Sequence, residues 1–93
     1  MIFHASKTTF ITTSQTDSAI DSGRTVKVLG ILVEGTSNGQ VVIEKFGTAT
    51  VIMNISVLAN SSSVVDIPWV ADAGLQVTTP SGVTCTVFHT QAL

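Results

Sequence analysis

Short runs of Val, Ile and Leu alternate with clusters of Thr, Ser, Asn and Gly along the whole chain, and no stretch carries apolar residues at helical spacing. Apolar runs of this length, punctuated by turn residues about every ten positions, predict an all-β fold. The longest run, Thr25 to Glu34, is followed by the turn residues Gly35 to Gln40 and by a second run, Val41 to Phe46. Asn38-Gly39 between two such runs predicts a central β-hairpin, because both residues accept the positive φ of a type I′ turn. The first run is apolar on both faces: strict alternation points Val26, Val28 and Leu32 one way and Leu29, Ile31 and Val33 the other. Gly30 in its middle marks a bulge or the close approach of another backbone.

The remaining pattern gives more short strands. The Thr-rich stretch Ser6 to Ser18 holds enough β-branched residues for one strand at Thr8 to Thr13, and Asp17 to Gly23 reads as a loop. Ala49 to Leu58 alternates cleanly, with Val51, Met53, Ile55 and Val57 on the core face; Asn60 to Ser63 is a loop. Val64 to Val70 is extended, with Pro68 restricted to an edge, a bulge or a strand end. Leu75 to Thr79 and Val83 to His89 form a closing hairpin across Thr79-Pro80-Ser81-Gly82, a type I turn. The expected architecture is a small antiparallel β-sandwich, jelly-roll-like, of six to eight short strands over residues 24–93. A polar arm or edge strand over residues 1–23 precedes it, and helix content is near zero.

Composition changes this picture in one respect. With 93 residues, the chain forms one domain that buries only about 60 to 65% of its unfolded surface, yet 44% of it is hydrophobic, 11% is charged and mean hydropathy is +0.50. The surplus of apolar side chains calls for a subunit interface. One face of the strand Val26 to Val33, through Leu29, Ile31 and Val33, together with Trp69, is the expected contact in a homo-oligomer, a trimer by preference. No run approaches the ~20 apolar residues of a membrane-spanning helix, and the start has no basic, then hydrophobic, leader pattern, so synthesis in a cytoplasm is expected. The net charge of −2, with Lys7, Arg24, Lys27 and Lys45 dispersed, excludes the positive stripe that nucleic-acid binding requires.

Residue types that carry chemistry are sparse. Cys85 is alone, which excludes an internal disulfide or a Cys-based zinc site, and reads as a small core filler. His4 and His89 lie near opposite ends and form no metal-ligand spacing. Asp17 with Asp21, and Asp66 with Asp72, are turn formers before they are paired catalytic carboxylates. No Gly-x-Ser-x-Gly elbow, phosphate loop or dinucleotide fingerprint occurs. The expectation is a chain that is not an enzyme and takes no cofactor and no metal.

The order Ile67-Pro68-Trp69, then Gly74-Leu75-Gln76-Val77, a turn, and Val83-Thr84-Cys85-Thr86-Val87-Phe88 resembles the ending of small virion proteins of tailed bacteriophages. With the upstream Asn-Gly turn the likeness spans about Thr25 to His89; residues 1–23 fall outside it. It implies a capsid-decoration or tail-associated β-sandwich of the virion, often trimeric, that acts by binding other virion proteins and carries no catalytic residues. The alternative is a sandwich that presents Trp69 and nearby loops to a carbohydrate or host surface.

Overall fold

The computed structural model describes residues 7–66 and 68–90, and among these it contains nine strands and no helix. They are β1 (Lys7–Ile11), β2 (Gln15–Ile20), β3 (Val26–Gly35), β4 (Gly39–Lys45), β5 (Val51–Val57), β6 (Ser61–Val65), β7 (Trp69–Ala71), β8 (Leu75–Thr79) and β9 (Val83–His89). Two antiparallel sheets face each other. Sheet A has the order β1-β9-β3-β6, with β7 also on β3; sheet B has the order β2-β8-β4-β5.

Counting β6 and β7 as one interrupted strand, the pairs are first with last, second with second-last, third with third-last, and β4 with β5 at the centre. This is a long hairpin rolled up on itself, the jelly roll. The chain crosses between sheets at most of its turns. Only β4–β5, across Phe46 to Thr50, is a true hairpin of sequential strands, closed by Lys45 N–H donating to Thr50 O at 3.0 Å.

Several sequence expectations are corrected here. Ser61 to Ser63 open β6 rather than lie in a loop, and Val51 is 48% exposed, set outward opposite Glu44 by the extra residue Ile52. β3 and β4 lie in different sheets, so the Gly35 to Gln40 segment is an arch and no central hairpin forms. Neither Asn38 nor Gly39 has positive φ. Asn38 instead accepts a hydrogen bond from Ala59 N–H through Oδ1 (2.8 Å), and a Cβ on Gly39 would come within 2.7 Å of Pro80 Cγ. Likewise β8 and β9 turn at Pro80 to Gly82, where Val83 N–H donates to Pro80 O, but they part to opposite sheets. Asp17 to Ile20 is strand rather than loop; positive φ at Asp17 and a register shift between Gln15 and Ser18 let β2 bend while Ile20 reaches the core.

The mid-strand bulge is present, and it resolves the strand that looked apolar on both sides. Val28 pairs with His89 and Gly30 with Phe88, leaving Leu29 as the extra residue. After that step the parity of β3 reverses, so Val26, Val28, Ile31 and Val33 all face inward and Leu32 faces out. Opposite the bulge the other ladder is divided between β6, which ends at Val65, and β7, which begins at Trp69, with Asp66 and Pro68 in neither. The core joins the inward residues of both sheets, from Ile11 and Ile20 to Val83, Cys85 and Val87. Residues 7–20 thus border both sheets and fill core positions.

Candidate functional site

Each sheet has an outer face, and the two differ in chemistry. On sheet B the outward positions are polar along most of the face: Thr78, whose hydroxyl donates to Asp17 Oδ1, and Gln40, Asn54 and Ser56, with Val42 half-buried among them and Val51 and Ile52 exposed at the β5 edge. On sheet A the register sets Phe10, Thr86, Leu32 and Val64 in one row across four strands. Phe10 is 61% exposed and Val64 49%, and farther down Val70, opposite Lys27, is 57% exposed. Half-buried Leu32 and Phe88 connect them. Apolar side chains standing in cross-strand register on one face make a contiguous patch rather than scattered exposure.

At the arch end of this face lies an open cleft of about 620 Å³, bounded by Phe10, Glu34, Thr36, Asn60, Ser62 and Thr84. Its wall is one aromatic ring, one carboxylate and a set of hydroxyl and amide groups. The backbone there is tight: a Cβ on Gly82 would meet Ser37 Oγ at 2.7 Å, and Gly82 holds φ of 78°.

The opposite end of the sandwich carries a polar cluster. His89 points inward from β9 and is buried. Its Nδ1 faces two acceptors, the Thr90 carbonyl at 3.0 Å and Asp21 Oδ2 at 3.5 Å, so Nδ1 carries a proton, and Nε2 is hydrogen-bonded to the Thr9 hydroxyl at 2.8 Å. Lys7 Nζ reaches Asp21 Oδ1 at 3.7 Å. Threonine, histidine and carboxylate repeat the order of a nucleophile relay. The imidazole is enclosed, however, and the cleft opens at the other end of the sandwich. The arrangement ties β1, β9 and the β2–β3 turn together.

The structure separates the residues expected at an interface. Ile31 and Val33 are fully buried in the monomer's own core, so the bulge removes them from any contact surface of the folded domain. Leu29 is half-buried at the bulge. Trp69 is also half-buried and packs against the core with its indole Nε1 enclosed, which corrects the alternative in which it is presented to a ligand; among the described residues Phe10 is the exposed ring. Phe10, Val64 and Val70 were not singled out from sequence, since each sits in a short run whose inward and outward positions only the register tells apart. Cys85 is buried, and enclosure in apolar surroundings pushes its thiol up to about 12. Asp17 lies against Thr78 and Asp21 against His89, while Asp72 uses its backbone carbonyl to accept from the Thr25 hydroxyl. Among the described residues no group of three His, Cys, Asp or Glu side chains is placed to hold a metal ion. His4 lies outside the described residues.

No family model, curated protein or solved structure matches this chain.

Proposed function

We propose that this chain is a non-enzymatic structural subunit of a tailed-phage virion, self-associating as a trimer through the outer face of sheet A and binding other virion proteins. The observation that carries the assembly reading is the row Phe10–Thr86–Leu32–Val64, with two of its four side chains about half or more exposed on a face that holds few charges. Burying such a row removes apolar area from water at roughly 25 cal/mol per Å², and an aromatic at its end is the residue type that most often anchors an interface. The virion context comes from the resemblance over Thr25 to His89.

Light scattering tests the reading. The purified chain is expected to show a mass that is a multiple of three times 9.7 kDa, and the double variant Phe10→Asp, Val64→Asp to lose that threefold association with its melting temperature little changed, since both side chains are exposed. The loss in association is expected at about 2 kcal/mol or more. A wild-type chain that stays monomeric at micromolar concentration would sink it.

The cleft supports a second reading, a carbohydrate- or host-surface-binding module. An aromatic ring beside a carboxylate and several hydroxyls suits sugar recognition, with Phe10 in the part first given to Trp69. On a glycan array, Glu34→Gln would abolish binding under this reading and leave the oligomer intact; under the assembly reading neither changes.

A further inference from the structure

The four edge strands of the sandwich are not equally protected against pairing with another chain. β1 carries Lys7, β2 carries Asp17 at a positive-φ irregularity, and β6 is five residues long and ends at Asp66 and Pro68. Charges, irregularities, proline and shortness are the devices by which edges are kept single. β5 is seven residues long and pairs only with β4. Between Val51 and Val65 the sequence contains no charged residue, no proline and no glycine. The single irregularity, the unmatched Ile52, lies near the start of β5 and leaves Met53 to Val57 in regular register with β4. Ile52 is 38% exposed, Met53 is half-buried, and Leu58 just beyond the strand is 71% exposed.

We propose that β5 pairs antiparallel with β5 of a second copy across a twofold axis at Asn54, joining the two B sheets into one continuous sheet. The strand is self-complementary in this register. Only with Asn54 on the axis does the whole element overlap; Met53 then meets Ile55 on the core side, while Ile52 meets Ser56 and Asn54 meets Asn54 outside, and Val51, set outward opposite Glu44 by the extra residue, lies at the end of the overlap. Apolar thus faces apolar within the joined core, and two amides, each both donor and acceptor, face each other at the centre. The edge's free backbone groups gain partners, and the partner strand covers Met53 and Leu58. This contact is separate from the outer face of sheet A and does not depend on it.

Disulfide trapping tests the register. A residue on the axis of an antiparallel pair has its Cβ about 4.5 to 5.5 Å from its mate, within disulfide reach. Asn54 is exposed, so Asn54→Cys leaves the fold unchanged, and buried Cys85 does not compete. Under mild oxidation Asn54→Cys is expected to give a covalent dimer, and Ile52→Cys, which meets position 56, to cross-link at least about tenfold more slowly. Asn54→Asp should dissociate the pair at neutral pH, because like charges directly opposite repel, and restore it below about pH 4, where carboxylates protonate. Adding Phe10→Asp should leave the cross-link intact, which separates this contact from the sheet A face. Equal cross-linking rates at 52 and 54, or a thiol at position 54 that reacts freely with maleimide and never forms a dimer, would overturn the proposal.

Discussion

At the scale of single residues, the buried polar and ionisable groups divide by whether they have partners. His89 has an acceptor or donor at each ring nitrogen and so stays in the core without an orphaned group. Gln76, outward on sheet B yet covered by the β4–β5 turn, donates to Glu44 Oε1 at 3.0 Å and to the Thr48 carbonyl at 2.8 Å and accepts from Gly47 N–H at 3.1 Å. Cys85 has burial alone, which raises its thiol from 9.0 to about 12. The unfolded chain ionises this thiol near its ordinary value while the folded chain keeps it neutral, so the stabilisation is full below about pH 9 and is lost as pH climbs towards 12. The slope is at most about 1.4 kcal/mol per pH unit. Urea unfolding at pH 7 and pH 10.5 is therefore expected to show wild type losing more stability than Cys85→Val, with the other titrating groups cancelling between the two proteins. Identical losses would mean that the thiol is not enclosed. That Cys85 is core filler was legible from its place between two threonines in a strand. Asp21 against His89 was not, because a turn residue's partner is set by which strands the turn joins.

At the scale of elements, most strands were legible as strands, with β2 and the start of β6 read as loops, and few of their pairings were. Apolar alternation reports that a segment is extended, and turn residues report that the chain reverses. Neither distinguishes a hairpin from an arch that carries the next strand to the opposite sheet, and so Asn38-Gly39 and Pro80 to Gly82 misled. The bulge in β3 shows how much one residue decides, since a one-residue step moves every following side chain to the other face. If Leu29 is only the extra residue, its deletion makes β3 regular and keeps Val26, Val28, Ile31 and Val33 inward. Deleting Leu32 instead turns Val33 outward and Glu34 inward. The Leu29 deletion is expected to fold with a loss of about 1 to 3 kcal/mol, and the Leu32 deletion not to fold, as read by thermal melts followed by far-UV circular dichroism. Two deletions of equal severity would show that the bulge is required for its shape and not just tolerated.

At the scale of the whole molecule, a rolled hairpin of this size must choose which surfaces to leave apolar. Sheet B turns threonine, asparagine and serine outward and shows Val51 and Ile52 only along its β5 edge, whereas sheet A shows Phe10, Leu32, Val64 and Val70 across its face. The hydropathy of the chain did report that apolar surface remains after folding; it assigned that surface to the wrong residues, because the bulge was located without following its effect on parity. The nature of the surface sets how association responds to conditions. An interface held by charge would weaken as salt shrinks the Debye length from about 10 Å at 0.1 M to about 3 Å at 1 M. This chain has few charges to screen, a net of −2, so raising sodium chloride over that range is expected to leave its mass in sedimentation equilibrium unchanged. Sodium sulfate, excluded from apolar surface, should tighten association, and cooling from 25 to 5 °C should loosen it as hydrophobic stabilisation fades. Dissociation by sodium chloride would locate the contact among the charged loops instead, away from Phe10 and Val64.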